Sequence, residues 1–268
     1  MITSLCGKRR FRIIHLSDLG LRAEPSAGLE RVALEVDALS PDVVLVSGGL
    51  TAQADEPEFY SARQALAALA GAGMPGQGRR RRPVVVVPGS RDRLWAGRFD
   101  EHLVDYLPPG GYPYVRTVGS QLAVIGLDST RVPSYAGYVF GRLGDEQLDR
   151  LDEKLRDPSL AGRAIAVLVH HAPLDAEARG NPFAVGLLDG ARLLELTAGR
   201  CVAMFSGHLS RRFRLSPAPG RPELFCAGPA LRPGAAGYWV VDVEDNRVIN
   251  AEQFVPDLAE DENDRRVA

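Results

Sequence analysis

Side chains able to ligate metals or bind anions recur in five short blocks, each at the end of an apolar run. The blocks are His15 to Gly20 (HLSDLG), Val46 to Thr51 (VSGGLT), Val87 to Asp92 (VPGSRD), Leu168 to Pro173 (LVHHAP) and Phe205 to Ser210 (FSGHLS). Asp18, His170, His171 and His208 are side chains that can ligate a divalent ion, and carboxylate with imidazole suits zinc, manganese or iron. Gly48-Gly49 and Gly89-Ser90 are glycine-rich turns whose backbone N–H groups can face an anion, with Arg91 beside them as a permanent cation. Metal ligation and anion binding are the two chemistries these residue types permit. Taken singly, each has a plainer use. A lone aspartate after a strand usually caps a turn, and paired histidines often sit in a core bonded to backbone.

The elements that must hold these blocks follow from the apolar pattern. Phe11 to Leu16, Val43 to Ser47 and Val84 to Val87 are short, continuous and β-branched, which predicts strands buried on both faces. Between the first two, Leu29, Val32, Ala33, Val36 and Leu39 fall on one helical stripe that Pro41 stops. Between the second and third, Glu58 to Ala70 is helical in pattern. The order β-α-β-α-β predicts parallel strands with crossover helices. Tyr112 to Val118 and Gln121 to Asp128 predict a hairpin about Gly119-Ser120, and Leu143 to Arg156 a helix with Asp145 as its cap. Ala164 to Val169 and Cys201 to Ser206 predict two more buried strands, with the helical ARLLELTA before the second. The remainder reads as meandering strands.

The bulk numbers exclude several functions. With 268 residues, 45% hydrophobic and 25% charged, the chain can bury a sizeable core. A net charge of −2 offers no electrostatic attraction for nucleic acid or an anionic membrane. No apolar run approaches the roughly 18 residues of a membrane span, and the N-terminus lacks a signal-peptide core. Cys6, Cys201 and Cys226 are scattered free thiols, as in a reducing compartment, so a cytoplasmic location is expected. The run Arg79 to Arg82 reads as a solvated loop. One domain over residues 1–256 is expected, with a polar, frayed tail at 257–268.

In chain order the five blocks resemble those of the calcineurin-like metallophosphoesterases, which read roughly D-x-H, G-D, G-N-H-D, H-x-P and G-H-x-H. The resemblance runs from Arg12 to about Phe254 and includes PDVVLVSG, LDST and the start of LGDEQLDRL. It implies two packed mixed β-sheets flanked by helices, an α/β/β/α arrangement. It also implies two divalent ions that share a carboxylate and activate the attacking oxygen. Carried over position by position, Asp18 matches the first ligand, and Gly20 stands where a histidine is expected. Gly49 stands at the bridging carboxylate, Ser90 at the asparagine, and Arg91 at the histidine that protonates the leaving group. Either His170 or His171 matches the fifth ligand, His208 the sixth, and Ser210 stands at the last histidine.

The pattern implies a degenerate member of the family. One ion keeps only Asp18, and the other keeps His208, one of the His170/His171 pair and the hydroxyl of Ser90. No tightly bound cofactor is expected, or at most one zinc, manganese or iron ion at a partial site. The expected role is a binding or scaffold domain for a protein partner or a phosphate-containing small molecule, held by Arg91, Ser90 and the turn at Gly49. The alternative is a residual mononuclear phosphoesterase, with Asp92 or Asp128 as a further ligand.

Overall fold

The structure, a computed structural model, describes residues 10–24, 26–71, 81–93, 99–130, 140–256 and 258. Strands β1 (Phe11–Leu16), β2 (Val43–Val46) and β3 (Val84–Val86) run parallel. Their continuous apolar sequences serve two layers. Ile13, Val43, Leu45 and Val85 face inward to a second sheet, while Ile14, Val44, Val46 and Val86 face outward to helices. Alternate residues point to opposite faces, so a strand buried on both sides has no polar position.

Helix α1 (Ala27–Leu39) starts where the Ser26 hydroxyl accepts the Leu29 N–H and ends at Ser40 in the left-handed region, just before Pro41. Helix α2 (Glu56–Leu69) is capped in the same way by Asp55, which accepts from Glu58 N–H. Capping of this kind contributes about 1 kcal/mol per helix. Val32 and Val36 of α1 and Phe59, Leu66 and Leu69 of α2 are buried against the outer face of the first sheet.

The second sheet orders β4 (Tyr114–Val118), β5 (Leu122–Gly126), β6 (Ala164–His171), β7 (Ala203–Gly207), β9 (Glu223–Cys226) and β8 (Phe213–Leu215). β5, β6, β7 and β9 are parallel, with antiparallel β4 and β8 at the edges. The C-terminal strands are not a simple meander. β8 and β9 extend the second sheet, whereas β10 (Tyr238–Glu244) returns to pair antiparallel with β1. β11 (Arg247–Phe254) then closes a hairpin through Asp245-Asn246, both at positive φ as a primed turn requires. The inner faces meet through Phe205, Phe225 and Trp239, whose indole N–H donates to the Cys226 carbonyl at 2.9 Å.

Two further helices cover the second sheet, α4 (Asp145–Leu155) and α6 (Gly190–Thr197), through Leu148, Leu151 and Leu193. Sheets of five and six strands with helices outside each give the two-sheet α/β architecture expected. Asp145 does not cap α4. Gly144 occupies the cap position without a side-chain bond, and the Asp145 carboxylate pairs with Arg192 on α6 instead. Short one-turn helices α3 (Phe99–His102) and α5 (Pro182–Val185) and a 3-10 turn at Ser90–Arg93 complete the parts that bear on the site. Arg82 of the arginine run is not a free surface charge, since it pairs with Asp37 and donates to the Val36 carbonyl. Arg79 and Arg80 lie outside the described residues, as do Cys6 and all of 257–268 except Leu258. No helix among the described residues is long and apolar enough to cross a membrane.

Candidate functional site

The carboxyl ends of the parallel strands in both sheets meet along one edge, and all five blocks lie there, where loops of open α/β sheets converge. His170 and His171 end β6, and His208 follows β7. One ligand atom from each of the three lies within 4.8 Å of the others. Both histidines of the pair therefore join the cluster, where the family pattern matched only one. The His170 Nδ1–H donates to the Ser47 carbonyl at 2.7 Å. A carbonyl can only accept, so this bond fixes the tautomer and leaves the Nε2 lone pair toward the cluster.

His171 has a hydroxyl on each ring nitrogen, Ser129 Oγ at 2.7 Å from Nδ1 and Ser90 Oγ at 3.1 Å from Nε2. Burial holds its pKa well below the usual imidazole range, and the neighbouring His170 and His208 add to the effect. Burial likewise brings His208 down to about 4, assisted by His170 and opposed by Asp18. These two imidazoles are neutral near pH 7. They can donate lone pairs to a cation and offer no charge to an anion.

Asp18 is not part of the converging cluster among the described residues. Its Oδ2 accepts from the Ser17 hydroxyl at 2.7 Å and from the His208 backbone N–H at 3.0 Å, tying the end of β1 to the end of β7. Asp18 and His208 both have positive φ, 50° and 67°, a conformation that costs non-glycine residues about 1 kcal/mol or more each.

The two glycine positions at which the resemblance expects a ligand differ in room. A Cβ at Gly20 would meet nothing within 4 Å. A Cβ at Gly49 would fall 2.6 Å from Asp18 Oδ1 and 2.8 Å from Asp18 Cα, and Gly49 has φ 67°. Backbone on one side and conformation on the other exclude a side chain there. Two ions sharing a carboxylate at this position do not fit the residues present. A single ion fits better, because three imidazoles are a sufficient set for one zinc-like ion.

In the glycine turns, the N–H groups of Gly49 and Gly89 are already taken by an internal carboxylate. Asp92, fully buried, receives Gly49 N–H at 2.9 Å, Gly89 N–H at 2.7 Å, Thr51 N–H at 2.9 Å and the Thr51 hydroxyl at 2.9 Å. Burial pushes its carboxyl up, and these hydrogen bonds pull against that shift. An internal carboxylate thus takes two of the N–H groups expected to cradle phosphate, and Gly49 cannot serve as an anion donor. The same bonds remove Asp92 as a metal ligand. Asp128 is likewise committed, to Arg93 at 3.0 Å and to the Thr130 N–H and hydroxyl. Ser90 is half-buried on His171, Arg91 is exposed beside it, and Ser210 is exposed beyond His208.

Ser17, Ser47 and Ser129 complete the hydrogen bonding of the site and were not visible as site residues in the sequence. Only Ser129 carried a signal, through its place in LDST.

Residues 11–211 match the sequence profile of a family described as calcineurin-like phosphoesterase. No curated protein matches the chain. Among solved structures, a dimetal phosphatase from Danio rerio is similar at TM-score 0.59 and 11% identity, over 92% of this chain and 99% of that one. A protein from Thermus thermophilus is similar at TM-score 0.61 and 13% identity, again over 92% and 99%. A purple acid phosphatase from yellow lupin (Lupinus luteus) seeds reaches 0.61 at 12% identity, over 92% of this chain and 54% of its own. At such identities these likenesses describe the fold.

Proposed function

The chain belongs to the calcineurin-like phosphoesterase family, and from that premise we propose that it has left two-metal hydrolysis behind and serves as a binding or scaffold domain. The observation that carries this reading is Gly49, where the Asp18 backbone stands 2.8 Å from any added Cβ. Two-metal catalysis depends on one group clamping both ions, and that group has neither a residue nor a space. Arg91, at the position of the leaving-group acid, stays protonated and cannot give up a proton.

The ligand of the cleft is a phosphate-containing anion held by Arg91, with Ser90 beside it. Charge supports this assignment, since His171 and His208 are neutral and Arg91 is an exposed cation with no carboxylate bonded to it among the described residues. The experiment is titration calorimetry of the purified protein with inorganic phosphate, a nucleotide and a sugar phosphate, alongside Arg91→Ala. Binding that weakens at least about tenfold in the variant, as loss of a charge-assisted bond predicts, supports the assignment. No heat at millimolar ligand overturns it. The buried thiols of Cys201 and Cys226 accord with a cytoplasmic protein.

A second reading is favoured by the three converging imidazoles, a mononuclear metal-dependent phosphoesterase. His170, His171 and His208 would hold the ion, which would supply Lewis acidity, and Ser90 would have to leave His171 Nε2 for that ring to ligate through it. Assay of an aryl phosphate and a phosphodiester with excess Mn²⁺ or Zn²⁺ decides it. Hydrolysis no faster than that of His208→Ala removes the reading.

A further inference from the structure

The histidines of the cleft lie under the chain's own backbone. A Cβ added at Gly141 would fall 2.3 Å from His171 Nδ1, and one at Gly186 would fall 2.9 Å from His208 Nε2 and 3.2 Å from His171 Cδ2. Only glycine permits so close a fit at either place. The two backbones are clipped together, Gly141 N–H to the Gly186 carbonyl at 2.5 Å and Leu188 N–H to the Gly141 carbonyl at 2.9 Å. His171 is fully buried beneath them, and His170 is 2% exposed. Three residues beyond Gly186, Asp189 accepts from Leu143 N–H at 3.0 Å and Gly144 N–H at 2.8 Å, pinning the same two stretches from the side.

Among the side chains described, few apolar ones hold this cover down, chiefly Leu187 and an edge-to-face contact of Phe183 with Phe140 at 5.8 Å between ring centroids. Its helix α5 is a single turn between Gly180 and Gly186, with Phe183 79% exposed and Leu188 46% exposed. Among the described side chains of the stretch, Leu187 enters the core. Segments with few buried contacts and hydrogen bonds near the surface open at low free energy, and glycines at element ends absorb the change in φ and ψ. Gly186, at φ 83°, already stands in a region most residues avoid.

We propose that the stretch from Gly180 to Asp189 is a movable cover over the histidine cleft, latched by Asp189, and that the structure shows it closed. In this state Gly186 stands against His208 Nε2 and the Cδ2 edge of His171, so an ion or ligand reaches those atoms only after the cover lifts. The inference concerns regulation of the cleft read above as a binding site. Its test reads chain motion alone, so a cleft without a ligand and a cover that never opens give different results.

The experiment is native-state hydrogen exchange, resolved by residue, on the wild-type chain and on Asp189→Asn. The amides of Gly141, Gly186 and Leu188 are compared with those of Met204 and Phe205 in β7. In the wild type the cover amides are expected to exchange at least ~100-fold faster than the β7 amides, reporting an opening short of global unfolding. In Asp189→Asn they should speed by roughly a further tenfold, as loss of a charge-assisted bond predicts, while β7 is unchanged. Cover amides protected to the level of β7 in the wild type overturn the cover. Exchange in the variant that is unchanged, or raised equally in the cover and β7, overturns the latch.

Discussion

At Gly49 and Asp92 a single side chain decides what the cleft can hold. Replacing Gly49 by aspartate restores the family's letter but not its site, because the new Cβ meets Asp18 Cα at 2.8 Å with φ at 67°. Gly49→Asp should lower stability by roughly 2–4 kcal/mol, the range for strain at a special φ combined with overpacking. Urea unfolding measures the loss, and metal analysis of the variant should show no uptake beyond the wild type. A variant as stable as the parent that binds two ions would refute the packing argument. Asp92→Asn should cost a similar amount, roughly 2–4 kcal/mol, because an amide places N–H groups against donors that now meet a carboxylate. Its loss should appear in the same unfolding midpoint. The sequence displayed Asp92 as an isolated acid next to Arg91, with nothing to separate a loop clamp from a metal ligand. Spacing reveals which residues share a block. It does not reveal that Gly49, Gly89 and Thr51 would aim their N–H groups at one carboxylate, because the loops after β2 and β3 have to pack first.

At the scale of elements, legibility followed burial. β1, β2 and β3 were readable because strands covered on both faces need unbroken β-branched runs, and α1 by its apolar stripe and the stop at Pro41, whereas the caps Ser26 and Asp55 emerged only in the structure. The return of β10 to β1 was not readable. Val240, Val241 and Val243 suit any buried strand, and the pairing is set by which sheet edge is open. The same strand ends bury imidazoles, and this makes stability depend on pH. His15, on β1, is fully buried beside Phe205, with Nε2 on the Ser47 hydroxyl at 2.9 Å. Burial, with a smaller push from Arg212, lowers its pKa from 6.5 to about 3. The folded state therefore resists a proton that the unfolded chain accepts below 6.5. Stability is flat above that pH and falls as pH drops through the window toward 3, by roughly 1.4 kcal/mol per pH unit for each such histidine. His171 and His208 act with the same sign. Asp152 bonded to Arg200 and Asp175 bonded to the Arg179 N–H are lowered from 3.8, so their contributions are lost only at more acid pH. Urea midpoints at pH 7.5, 6.0 and 5.0 should thus fall before Asp152 and Asp175 titrate, and a flat series would sink the account.

Across the whole molecule, the open edge between the sheets is closed by the chain's own hydrogen bonds. His170 on β6 donates to the Ser47 carbonyl after β2, the His208 N–H after β7 reaches Asp18 after β1, and Ser90 after β3 meets His171. Each crosses from one sheet to the other. Each also uses an atom or residue at a position where the family resemblance places a metal ligand or its neighbour. An empty dinuclear site would leave clustered carboxylates to repel one another. Here Asp18 is bonded to Ser17 and His208, Gly49 brings no charge, and the buried Asp92 is surrounded by donors. The seam therefore needs no ion to hold it. Thermal unfolding with and without EDTA should give melting temperatures within about 1 °C of each other. A tightly held ion would contribute about 2.7 kcal/mol at a hundredfold excess over its Kd. In a chain of this size that corresponds to a fall of roughly 5–10 °C on chelation. Added Zn²⁺ separates the two functional readings at this scale. A melting temperature that rises with zinc concentration means that the three imidazoles form a usable mononuclear site in the folded state. A melting temperature indifferent to zinc, with stability retained in EDTA, leaves the cleft to its arginine.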